Sequence, residues 1–90
     1  MSKQKTTNEL ENFNIAFGGF IKTVRIKRNM TQEDVARYTG VSQSHINHWE
    51  KGDRNIDFNK AVKLCTVLRV DIRDFLDDYV YYYMEHVGSM

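Results

Sequence analysis

Residues 31–52 read TQEDVARYTGVSQSHINHWEKG. Thr31 and Asp34 have the spacing of a capping box, with Asp in place of the more usual Glu, so a helix opens after Thr31. Val35 and Ala36 of that helix face inward. Gly40 ends it, where the backbone must turn with positive φ. Ser42 then caps another helix that runs to about Lys51 and stops at Gly52. Two short helices joined by so tight a turn cross closely, which is why Ala36 has to be small. Ile46 and Trp49 hold the later helix against the core. Its opposite face, with Gln43, Ser44, Asn47 and His48, is left polar and exposed.

Outward from this stretch, apolar residues continue to recur at helical spacing. Toward the N-terminus, Leu10, Phe13, Phe17, Phe20, Ile21 and Val24 share one face of a helix that can be capped by Thr7 or Asn8. Gly18 and Gly19 interrupt it, and each glycine costs about 1 kcal/mol in a helix interior relative to alanine. Residues 8–17 are therefore either a separate arm or a short helix, with the main first helix starting around Phe17. Toward the C-terminus, Asp57 caps a fourth helix that buries Ala61, Leu64, Cys65 and Leu68. Asp71 caps a fifth, whose apolar stripe is Ile72, Phe75, Leu76, Tyr79, Val80, Tyr83, Met84 and Val87. There is no proline and little strand-type alternation, so the expected fold class is all-α.

Length and charge narrow the possible functions. A single domain of 90 residues buries only about 60–65% of its unfolded surface, leaving little room for both a core and an enclosed active site. The 13 Lys and Arg nearly balance the 12 Asp and Glu. From Phe17 to Leu76, however, eleven Lys/Arg face seven Asp/Glu, whereas residues 77–90 carry Asp77, Asp78 and Glu85 with no Lys or Arg. A basic body with an acidic tail suits a polyanion on one side and a different partner on the other. Cys65 is the only cysteine, which fits a reducing compartment. Residues 1–12 are polar, without an apolar signal segment, and no run is long enough to span a bilayer. The expected location is cytoplasmic, with no membrane partner.

These pieces together resemble the helix-turn-helix proteins of the phage-repressor and Cro type, also called the XRE family. The resemblance covers residues 17–76 without a gap. It rests on Ile21-Lys22-Thr23-Val24-Arg25, Met30-Thr31-Gln32-Glu33-Asp34-Val35-Ala36, Gly40-Val41-Ser42, Ile46 and Trp49-Glu50-Lys51-Gly52, followed by Leu64, Leu68, Val70 and Leu76. It implies a five-helix, lambda-repressor-like DNA-binding domain over residues 17–76. Residues 1–16 would be an N-terminal arm or short helix, and residues 77–90 an extension of the C-terminal helix. It further implies that the third helix enters the major groove of double-stranded DNA. Gln43, Ser44 and His48 then sit where base edges are read, and Gln can pair bidentately with adenine. Gln32, at the start of the second helix, together with Ser42, Asn47, Lys51 and Arg54, would contact phosphates and fix register. Arg25 and Glu50 match a buried ion pair that ties the first helix to the third. Ile56 stands where the family often has proline, and Arg69 where it often has glycine.

Plainer alternatives stand beside several of these residues. His45 and His48 lie one helical turn apart, as metal-binding pairs often do, but no further ligand cluster accompanies them and no metal or cofactor is expected. Cys65 belongs to an apolar helix face rather than to a nucleophile with partners, and no enzymatic activity is expected. Tyr79, Val80, Tyr83, Met84 and Val87 either pack on the chain's own first helix or form a homodimer interface. The second is favoured because five helices already close the core by Leu76. The function expected is a sequence-specific transcriptional regulator, a repressor, that binds a palindromic operator as a dimer. The alternative is a protein-interaction module (an antirepressor, antitoxin or coactivator-like adaptor) that uses the tyrosine-rich helix on a regulatory protein.

Overall fold

The computed structural model describes residues 12–86. They form five α-helices and no strand: α1 (Phe13–Lys27), α2 (Gln32–Thr39), α3 (Gln43–Lys51), α4 (Phe58–Val67) and α5 (Ile72–His86). The fold is all-α, as the apolar periodicity required. Helix α1 packs against α3 and α5, α2 packs against α3 and α4, and α4 closes on α5.

The caps lie where the residue types place them. Thr31 Oγ1 accepts from Asp34 N and Asp34 Oδ2 accepts from Thr31 N, both at 2.9 Å, which completes the capping box of α2. Ser42 Oγ accepts from His45 N, Asp57 Oδ1 from Lys60 N and Asp71 Oδ1 from Arg73 N. Gly40 and Gly52 end α2 and α3 in the left-handed conformation, with φ of 79° and 76°.

The N-terminal helix differs from expectation. It starts at Phe13, with Asn12 as its cap, and runs unbroken through Gly18 and Gly19. The boundary expected between residues 16 and 17 thus falls inside α1. The alternative caps Thr7 and Asn8, and Leu10, lie outside the described residues. The two glycines do different jobs. Gly18 is buried where α1 crosses the end of α3. A Cβ there would lie 2.8 Å from the Glu50 carbonyl oxygen and closer still to that of Trp49. Gly19 has no neighbour within reach of an added Cβ. The approach of two backbones, impossible with any side chain at residue 18, outweighs the propensity cost of glycine.

Phe17, Ile21, Val35, Ile46, Leu64, Cys65 and Leu68 are all but fully buried and form the centre of the core. An aromatic layer covers one end. Phe75 of α5 meets Phe17 edge-on at 5.3 Å and lies 5.1 Å from Phe20, while Phe13 stacks on Phe17 at 5.4 Å. These ring pairs fix the seating of α5 on α1. The turn between α4 and α5 carries Arg69 at φ 60°, a left-handed position. No helix among the described residues is long and apolar enough to cross a membrane.

Candidate nucleic-acid interface

Helix α3 is locked on one side and open on the other. Ile46 is fully buried, and Trp49 and Glu50 are nearly so. Successive residues of an α-helix are 100° apart, so these three hold one side of α3 and turn the other outward. On the outward side Ser44 and Lys51 are exposed and Asn47 and His48 are half-buried, while Gln43, the first residue of the helix, is exposed at its start. Arg54, beyond the end of α3, is also exposed.

A buried ion pair anchors this helix. Arg25 of α1 donates through Nε to Glu50 Oε2 and through Nη2 to Glu50 Oε1 at 3.0 Å. Its Nη1 donates to the Met30 carbonyl at 2.8 Å. The forked geometry of guanidinium on carboxylate sets orientation as well as distance. Side-chain exposure is 11% for Arg25 and 3% for Glu50, so loss of either partner would strand a buried charge. The network continues to the surface. Gln32 Nε2 donates to Glu50 Oε1 at 3.0 Å and to Asn47 Oδ1 at 3.3 Å. Gln32 therefore bridges α2 to α3, and with Asn47 Oδ1 engaged, the Nδ2 amide of Asn47 is the end left to donate elsewhere. As the first residue of α2, Gln32 also presents a backbone N–H that has no acceptor within its own helix.

The histidines face different partners. His45 Nδ1 is 2.8 Å from Ser42 Oγ, and its ring tilts over Trp49 at 5.6 Å. His48 Nδ1 is 2.9 Å from Asp53 Oδ1. They do not converge, and among the described residues no group of three His, Cys, Asp or Glu side chains could hold a metal ion. Cys65 is buried, and burial followed by the nearby charge of Asp71 pushes its thiol up to about 11. A thiol so disposed stays protonated at neutral pH and acts as a small apolar core group.

The residues expected at an interface on α5 separate into two sets. Tyr79 is half-buried, stacked on Phe75 at 5.5 Å and edge-on to Phe13 at 5.7 Å. It lies one helical turn after Phe75, so the face that seats Phe75 on α1 carries Tyr79 with it. Tyr79 thus packs within its own chain. Val80 and Met84, by contrast, are 48% and 62% exposed, and Tyr81 beside them is 67% exposed. The Tyr83 side chain and Val87 lie outside the described residues. Asp53 had not stood out in the sequence. Its signal was the left-handed Gly52 before it, which turns the chain back over the last turn of α3.

Known proteins share this arrangement. The Helix-turn-helix family profile matches residues 21–75. Control protein C.BamHI of Bacillus amyloliquefaciens is 31% identical over 67 residues, spanning 73% of this chain and 83% of that protein. An uncharacterized HTH-type transcriptional regulator of Archaeoglobus fulgidus is 41% identical over 54 residues, spanning 60% of this chain and 76% of its own length. The crystal structure of the restriction-modification controller protein C.AhdI from Aeromonas hydrophila superposes with a TM-score of 0.65 at 28% identity, over 68% of this chain and 92% of that one. With its capped helix pair, its locked and open faces of α3 and these relatives, the chain belongs to the XRE-type helix-turn-helix family.

Proposed function

We propose that this protein is a DNA-binding transcription regulator that reads a roughly palindromic operator as a homodimer, with α3 of each protomer in the major groove. The observation that carries this is the two-sidedness of α3. Ile46, Trp49 and Glu50 fix the helix, Ser44, Asn47, His48 and Lys51 share its outward side, and Gln43 is exposed at its first turn. A helix held rigidly on one side and lined with donors and acceptors on the other suits base recognition in the groove. Gln43, Ser44 and His48 are assigned to base edges. Ser42, Asn47, Lys51, Arg54 and the backbone N–H of Gln32 are assigned to phosphates. Val80 and Met84 are assigned to the contact between protomers. The name of the Archaeoglobus fulgidus relative, an HTH-type transcriptional regulator, supports a role in regulating transcription, and the names control protein and controller protein are in keeping with it. An occupied operator excludes other proteins from the same DNA, so repression is the expected outcome.

Selection from a randomised duplex pool tests this. The expected product is a palindrome with half-sites one helical turn, about 34 Å, apart. Absence of enrichment, with only weak salt-sensitive retention, would favour a protein-interaction module instead. Gln43→Ala should relax base preference at one position of each half-site. Arg54→Ala should weaken all sequences alike and reduce the salt slope by about one. Equal losses on operator and random DNA for Gln43→Ala would remove it as a base reader.

A further inference from the structure

A base-reading histidine is ambiguous until its proton is placed. Neutral imidazole has one donor nitrogen and one acceptor nitrogen, and exchanging them exchanges the bases it can recognise. His48 Nδ1 lies 2.9 Å from Asp53 Oδ1. An ionised carboxylate only accepts hydrogen bonds, so the proton in this contact belongs to Nδ1. The position of Asp53 is set by the end of α3. Gly52, at φ 76°, donates its N–H to the carbonyls of His48 and Trp49, and Asp53 N then donates to the His48 carbonyl at 3.3 Å. The same left-handed turn that ends the helix thus brings the Asp53 backbone and carboxylate to one residue, His48. The His48 side chain is 31% exposed, and its Nε2 makes no hydrogen bond among the described residues.

We propose that Asp53 is a specificity-positioning residue: it holds the His48 ring with its proton on Nδ1, so that Nε2 meets the major groove as an acceptor. An acceptor there selects a base with an exocyclic amino group, adenine through N6 or cytosine through N4, and disfavours guanine, which offers only acceptors. The inference rests on the assignment of His48 as a base reader, but it names the residue that decides which base His48 reads. Asp53 itself needs no contact with DNA.

The test combines ring nitrogen NMR of the free protein with duplex selection, both at pH 8.5, above the range in which imidazole side chains change charge. The wild-type ring should give a pyrrole-type nitrogen at Nδ1 and a pyridine-type nitrogen at Nε2. In Asp53→Ala the proton should move toward Nε2, the tautomer that unconstrained histidine prefers. The operator position read by His48 should then lose its preference of about tenfold for adenine or cytosine and admit guanine. Asp53→Asn, whose amide oxygen can still accept from Nδ1–H, should restore both the ring signature and the preference. A purely structural role for Asp53 would move neither readout. A wild-type ring protonated on Nε2, or a tautomer unchanged by Asp53→Ala, would overturn the inference. His48→Ala separates the remaining outcomes. If it erases the preference while Asp53→Ala leaves it intact, Asp53 is not the positioning residue. If His48→Ala leaves every operator position unchanged, His48 does not read a base and the inference falls with that assignment.

Discussion

Gly18 and Gly19 look equivalent as residue types, yet their surroundings give them opposite roles. A methyl group at residue 18 would press on the carbonyl oxygens of Trp49 and Glu50, which belong to the last turn of α3 and cannot yield independently. Gly18→Ala should therefore destabilise the domain by about 2 kcal/mol and lower Tm by roughly 10 °C. Gly19→Ala meets open space and should stabilise by up to about 1 kcal/mol. Paired thermal melts check both signs, and equal shifts would refute the close crossing. Arg69 is a comparable case. It occupies a left-handed position at φ 60°, which costs an L-residue about 1–2 kcal/mol. Glycine removes that strain but loses more entropy on folding, so Arg69→Gly should gain about 0.5–1 kcal/mol, read as a rise in Tm of about 4 °C. The departure from the family's glycine at this turn is thus tolerated at a cost to stability.

At the scale of the element, carboxylates at helix starts make the fold acid-sensitive. Asp34 is held below the usual carboxylate range by the N–H and hydroxyl of Thr31, with Arg37 adding to this. Asp71 is lowered to about 2 by the Arg73 guanidinium and the Arg73 N–H. Both groups hold protons less tightly when folded than when unfolded. Their contribution is therefore present above the ordinary carboxylate pKa of about 4 and is lost as pH falls, for Asp71 through about 2. Tm should drop as pH falls from about 4 to 2, and Asp34→Asn combined with Asp71→Asn should flatten that limb. An unchanged limb in the double variant would assign acid unfolding to other carboxylates. These caps were legible in the sequence, because a Thr, Ser or Asp before a periodic apolar run has one local task. The start of α1 was less legible. Asn12 caps it, with Oδ1 accepting from Asn14 N and Ile15 N, next to the Phe13 and Phe17 rings that meet Phe75.

For the whole molecule, the second half of α5 divides into an inward and an outward face. Phe75 and Tyr79 face α1, while Val80 and Met84, one turn apart, stay exposed with Tyr81. If this strip joins two protomers, Met84→Glu should halve the mass measured by sedimentation and weaken operator binding, with the melting of the monomeric domain little changed. A wild-type protein that sediments as a monomer at micromolar concentration would rule out the dimer. The sequence by itself determined the helix-turn-helix and most of its caps, since capping, glycine turns and apolar spacing act over one to four residues. It also marked Gln43 and Ser44 as exposed polar residues of α3, whereas Asn47 and His48, expected to be exposed with them, are half-buried. Only the tertiary structure decided that Gly18 is a crossing point, that Tyr79 turns inward, that Gln32 bridges Glu50 to Asn47, and that Asp53 returns to His48. Three of these contacts join different helices, and the fourth depends on how a turn folds back on its own helix. Each is fixed by how packed backbones and side chains meet in space, which residue types along the chain do not specify.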